Sequence, residues 1–173
     1  MPSTFSTAMA QGFLGRLSVA SLLCLAVTAS QAHADWQYTH WGMSVSEVRA
    51  AAPDPVAEAP EGGAASPLGV VRLAAAYQAM GLEGRVAFAF QEDSLSAVVF
   101  AFVGKDDERV LFLLQDRYGA PVSSPAPDDR RELVWLWRDD PSGNNVRYIH
   151  FPGSLDPDMI VYTPIHSAGS GGL

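Results

Sequence analysis

Imidazole is the commonest acid–base group and nitrogen ligand near neutral pH, so the histidines are the first residues that could do chemistry. The chain has four, His33, His40, His150 and His166. None stands in an H-x-x-x-H or H-E-x-x-H spacing, which would put two ligands on one turn of helix. His40 and His150 make a metal or acid–base site only if the fold brings an N-terminal segment against a distant strand, with Asp or Glu completing the set. A serine nucleophile needs an adjacent base, and no G-x-S-x-G elbow occurs. The paired acids Asp106-Asp107, Asp128-Asp129 and Asp139-Asp140 sit at a helix start or in turns, where aspartate suits the helix dipole or the backbone geometry. "DDPSGNN" (139–145) is the best candidate for a cation loop, and it lacks the EF-hand ligand spacing. No glycine-rich phosphate cradle follows a strand. These residues point to no catalytic constellation, no metal and no cofactor.

Ser44-x-x-Glu47 in "GMSVSEV" (42–48) resembles a reactive pair but is spaced for helix entry. With Ser44 at the N-cap, Glu47 falls at N3 and each side chain meets the other's backbone amide; Met43 and Val48 take the positions of a hydrophobic staple. Pro53 ends the helix by biasing Ala52 away from the α region. The single cysteine, Cys24, lies in an apolar run with Leu23 before it. That neighbour disfavours lipidation, and the rest of the chain has no thiol chemistry.

The elements that must position these residues begin after a leader. Arg16 is the only charge before Asp35, "LSVASLLCLAVTA" (17–29) is apolar, and "AHA" (32–34) offers a small-x-small cleavage site. This predicts residues 1–34 as a signal peptide cleaved after Ala34, with an uncleaved anchor as the alternative, and hence a periplasmic or secreted protein. Removing 34 of 173 residues leaves 139, one domain's worth. All 19 acidic and 10 of the 11 basic residues remain, a net charge of −9. That balance argues against nucleic acid, whose binding rests on neutralised phosphates, and against an anionic bilayer. No second long apolar run predicts a membrane span.

"KDDERVLFLLQDRYGAP" (105–121) predicts a second helix over 106–118: apolar residues recur at helical spacing, acids lead, Gly119 suits the left-handed C′ position and Pro121 blocks continuation. Period-two alternation predicts strands at 69–78, 84–91, 95–103, 131–138, 145–151 and 159–163. "WQYTH" (36–40) adds an edge strand. Residues 53–67, rich in Pro, Ala and Gly, read as a loop, and 167–173 as a flexible tail. The single α+β domain therefore spans 35–166, with helix-plus-three-strands occurring twice. A shift of 60 residues aligns Leu73 with Leu133 and Phe88 with Tyr148, which proposes repeats at 42–103 and 104–164. Burial then predicts one antiparallel sheet of about six strands with both helices on one face.

At "GMSVSEV" the chain resembles the small lipoproteins of the bacterial outer-membrane barrel-assembly machinery, which share Gly-Met-Ser/Thr-x-x-Glu/Gln-Val before a β-meander. The doubled helix and meander, with "RYGAPV" (117–122) closing the second helix, is also similar to the β-lactamase inhibitory proteins. The resemblance extends to exported bacterial proteins beginning Trp-Gly-x-Ser-x-x-Glu-Val. It implies the fold and a bias towards binding proteins. It implies no functional residue, because the matching positions form caps.

The strands carry a further signal. Tyr77, Phe88, Phe90, Trp135, Trp137 and Tyr148 alternate and so form the face under the helices. Val134 with Leu136, Ile149 with Phe151, and Val98 with Phe100 and Phe102 then make the other face apolar too. An apolar face without a helix layer is a binding surface. The binding candidates are Trp41, Val134, Leu136, Ile149 and Phe151. The sequence thus predicts a non-enzymatic module of the bacterial cell envelope that binds an envelope protein. The alternative is a carrier of a small apolar ligand or lipid.

Overall fold

The computed structural model describes residues 35–59, 66–102, 107–126 and 131–165. The leader, its cleavage site, Cys24, Asp106, Asp128-Asp129, His166 and the tail lie outside the described residues. In chain order the elements are β1 (Asp35–Trp36), β2 (Thr39–His40), α1 (Val45–Ala51), β3 (Ala57–Glu58), β4 (Val70–Ala79), β5 (Leu82–Gln91), β6 (Ser94–Phe102), α2 (Asp107–Tyr118), β7 (Leu133–Asp139), β8 (Asn144–His150) and β9 (Asp158–Pro164).

Helix α1 begins as its capping residues dictate. The Glu47 amide donates to Ser44 Oγ at 3.3 Å, and the Ser44 amide donates to Glu47 Oε2 at 2.8 Å. These bonds hold the Glu47 carboxyl below the usual carboxylate range: the Ser44 amide first, then its hydroxyl. Val48 is fully buried and packs in one cluster with Met43. Two backbone bonds, Gly42 N to Leu95 O at 3.0 Å and Leu95 N to Met43 O at 2.8 Å, stitch the helix entry onto the sheet. At the other end of the chain's helical content, Gly119 takes φ 78° and its amide donates to Gln115 O at 2.8 Å, closing α2. The Trp137 indole donates to Gly119 O at 2.9 Å and pins that terminus to β7.

All described strands of the main sheet pair antiparallel, in the order β3-β4-β5-β6-β9-β8-β7. Two three-stranded meanders therefore meet along β6 and β9. Tight turns with both central residues at positive φ, Met80-Gly81 and Glu92-Asp93, join β4 to β5 and β5 to β6; this geometry matches strand twist. The sheet has seven strands because two residues of the expected loop, Ala57 and Glu58, pair with β4. "WQYTH" is not an edge strand of this sheet. It folds on itself as the hairpin β1–β2, with Gln37 at φ 53°.

Cross-strand pairing decides the faces. Leu73↔Phe88↔Val98↔Tyr162↔Val146↔Trp137 is one continuous row, and Val86↔Phe100↔Ile160↔Tyr148↔Trp135 is the next. Directly opposed residues point the same way, so Val98, Phe100 and Phe102 lie under the helices with Phe88 and Tyr148. The expectation that they face the other side is corrected by register, which alternation within single strands does not supply. Both helices cover this aromatic face. Val48 of α1 packs with Leu73, Phe88 and Val98, and Val110 and Leu114 of α2 pack with Phe102, Trp137 and Tyr148.

Candidate functional site

The other sheet face is built from the small and aliphatic residues that alternate with those aromatics. One row reads Ala76, Arg85, Ala101, Met159, Ile149 and Val134; the next reads Ala74, Ala87, Val99, Val161, Arg147 and Leu136. No described helix or strand layer packs against it, since both helices and the β1–β2 hairpin join the two clusters on the aromatic side. Val99, Ala101, Met159, Ile149, Val134 and Leu136 are half-buried, whereas Arg85 and Arg147 are exposed. Three strand spacings and a two-residue offset separate Arg85 from Arg147, so these arginines bracket the centre of the face about 16 Å apart. Neither forms an ion pair among the described residues. Arg72, beside Ala74, and Arg138, bonded to Asp140 at 2.9 Å, add charge at opposite margins. Glu83 is the one described strand carboxylate on this side, at the end of β5, where it accepts from Gln78 at 3.3 Å. A positive face with an apolar centre thus sits on a chain of net charge −8.

Three of the five sequence-predicted binding residues meet here: Val134 opposes Ile149, and Leu136 lies one row away. The β7 edge beside Leu136 is occupied by residues 122–123, with Leu136 N donating to Ser123 O at 3.0 Å. Phe151 follows the end of β8, and its amide donates to Asp158 Oδ1 at 3.3 Å. Trp41 is elsewhere. It packs on the aromatic side with Met43 and Val45, and its indole donates to Asn144 Oδ1 at 2.8 Å, tying the helix entry to the first residue of β8. Sequence reading passed over Arg72, Arg85 and Arg147. For Arg85 and Arg147 the signal was present as the polar member of each alternation, in "GRVAF" and "NVRYIH", whereas Arg72 sits at the β4 register shift.

The histidines do not meet. His40 ends β2 beside Trp41, which reaches Asn144, whereas His150 lies six residues further along β8, on the order of 20 Å away. His150 is instead fixed inside the fold. Its Nδ1 lies 2.8 Å from Asp158 Oδ2, which also accepts from the Tyr148 hydroxyl at 3.0 Å. Asp158 and Tyr148 are almost wholly buried, and His150 nearly so. Among the described residues no three His, Cys, Asp or Glu side chains are grouped to hold a metal ion.

Between the β1–β2 hairpin and the C-terminal end of α2, the aromatic face is left uncovered in a cavity of about 200 Å³. Trp36, Tyr77, Tyr118 and Tyr162 wall it, and Arg117, Asp139 and Asn144 supply polar groups. Burial pushes the Tyr162 hydroxyl well above the usual tyrosine value, with Tyr118 adding to the shift. Burial also raises Tyr118 and Tyr38. These phenols are neutral donors at physiological pH.

No helix of the described residues is long and apolar enough to cross a membrane. No family model matches the chain, and no curated protein matches it. Among solved structures it is similar to a DUF4309 family protein (YjgB) from Bacillus subtilis subsp. subtilis str. 168, with 15% identity over 70% of this chain and 78% of that one. The TM-score of that comparison is 0.41, a likeness too slight to carry an argument about either fold or function.

Proposed function

We propose that this is an exported, non-enzymatic protein-binding module of the bacterial cell envelope, and that it docks an acidic protein partner on the open sheet face. The observation that carries the reading is the composition of that face: a half-buried apolar centre of Val99, Ala101 and Met159, bracketed by Arg85 and Arg147, on a chain whose net charge is −8. Apolar centres with charged surrounds are how protein interfaces divide affinity from steering. Arginine suits the carboxylates of such a partner because its planar fork binds them in pairs. The motif likeness to the barrel-assembly small lipoproteins and the β-lactamase inhibitory proteins supports the same reading, as does the leader expected at residues 1–34.

The test is site-specific photo-crosslinking in intact cells from Val99 and Met159, with Phe112 on the exposed side of α2 as control; Phe112 is 67% exposed. The proposal expects one identified protein from both open-face positions, joined through an acid-rich segment, and not from Phe112. Adducts spread equally over all three positions, or lipid adducts in place of protein, would overturn it.

A further inference from the structure

The cavity between the hairpin and α2 holds two opposite charges that do not pair with each other. Arg117, in the last turn of α2, lies with its guanidinium carbon 5.4 Å from the centre of the Tyr118 ring. Asp139, the last residue of β7, accepts from the Ser142 amide at 3.3 Å. Both line the same cavity, and neither forms an ion pair among the described residues. Each keeps a contact of its own, Arg117 over the Tyr118 ring and Asp139 on the Ser142 amide, and both line the one cavity. The floor between them is aromatic. Tyr77 meets Phe100 edge-on at 5.3 Å, and Trp36 lies 5.5 Å from Tyr77 and 6.2 Å from Tyr162. Gln37 donates to the Tyr77 hydroxyl and fixes the rim on the hairpin side. Trp41, bonded to Asn144, fixes the neighbouring wall from the other half of the chain.

We infer that this cavity is a binding site for a small zwitterion, a free amino acid or a molecule of that size, with its carboxylate on Arg117, its ammonium on Asp139 and its side chain over the tyrosines. The size limits the guest: about 200 Å³ is below the ~300–1,000 Å³ of pockets that take drug-sized ligands. The guanidinium can bind a carboxylate through two parallel bonds. An ammonium at Asp139 also faces tyrosine π-systems, which attract cations. Neutral tyrosine hydroxyls offer donors and acceptors to whatever polar group remains. The site shares no residue with the open sheet face, so it stands or falls separately from the docking reading.

The experiment is calorimetric and NMR titration of the purified full chain with free L-alanine, L-glutamine and L-phenylalanine. Acetate, ethylammonium, the N-acetyl amides of the same amino acids and glucose serve as controls. The expected result is saturable binding of at least one free amino acid, with chemical-shift changes centred on the Trp36 indole and on Tyr77 and Tyr118. Arg117→Gln and Asp139→Asn should each weaken it about tenfold or more, since each removes one charge-assisted contact. Thermal melts of both variants are run beside the titrations, and Tyr118→Phe serves as a further variant that keeps both charges. Binding of the amides or glucose as tight as that of the free amino acids would overturn the inference. So would binding unchanged in both charge variants, or no saturable binding up to millimolar amino acid.

Discussion

Removing the carboxyl of Asp158 isolates the energetics of one half of the fold. Its Oδ2 accepts from the Tyr148 hydroxyl at 3.0 Å and lies 2.8 Å from His150 Nδ1; its Oδ1 accepts from the Phe151 amide at 3.3 Å. Tyr148 belongs to the α2 cluster and stacks on Trp135 at 5.4 Å, so a change at Asp158 reaches the centre of that core. Asp158→Ala takes this acceptor from two nearly buried side chains and a half-buried amide. A hydrogen bond to a charged group contributes about 1.5–3 kcal/mol, and a buried donor left without its acceptor costs about 1–3 kcal/mol. Relief of the carboxylate's own desolvation offsets part of this, so the expected loss is about 3 kcal/mol. With a urea slope near ~2 kcal/mol/M, the midpoint should fall by about 1.5 M without a change in slope. Tyr148→Phe removes one donor and should cost about 1 kcal/mol. In a double-mutant cycle with Asp158→Asn the pair should couple by ~0.5 kcal/mol or more. An Asp158→Ala variant that loses less than about 1 kcal/mol, or additive effects of the two changes, would refute the reasoning.

Other expectations follow from single contacts. Gly84 faces the helix side opposite Phe102, and a Cβ there would lie 2.1 Å from Ala101 O and 2.8 Å from Phe102 Cα. Because those atoms are backbone of a central strand, Gly84→Ala should cost at least about 2 kcal/mol in chemical denaturation, and a neutral outcome would contradict the register. Ser44→Ala should cost about 1 kcal/mol, measured the same way, by opening the capping box. The lowered Glu47 pKa means that its share of stability is present above the unfolded carboxylate value and is lost as pH falls through the folded one, so the penalty of Ser44→Ala should shrink in acid. Tyr162 has the opposite sign. Its raised pKa gives stability that is fully present below the unfolded value of about 10 and is lost as pH rises through the folded value. Alkaline unfolding followed by circular dichroism should therefore move to higher pH in Tyr162→Phe; an unchanged midpoint would count against a buried, neutral phenol.

Local structure was legible wherever a few neighbouring residues determine it. Ser44 and Glu47 specify the start of α1, Gly119 and Pro121 the end of α2, and the alternation in each strand its two faces. Which face lies under the helices is a property of pairing between strands far apart in sequence, and there the reading failed for Val98, Phe100 and Phe102. Side-chain size carried the missing information: Phe88 and Phe90 alternate with Ala87 and Ala89, and large residues fill the space beneath a helix while alanines leave a flat surface. Strand β3 was invisible because two residues, Ala57 and Glu58, have no periodicity to detect. The order that sets β6 beside β9 depends on how two meanders dock, not on either alone. Of the candidate site, Val134, Leu136 and Ile149 were legible as one face. Arg85 and Arg147 acquire meaning only when four strands separate into a β5–β6 and a β9–β8 pair with the charges on their outer members.

The most direct test of the central claim reverses the two bracketing charges. Arg85→Glu with Arg147→Glu alters exposed side chains and should leave stability within about ±0.5 kcal/mol for each site. If the open face docks an acidic partner, the crosslinking yield from Val99 and Met159 in intact cells should fall at least about tenfold, because like charges now face each other across the interface. A folded double variant that crosslinks the same partner at an undiminished yield would contradict the account.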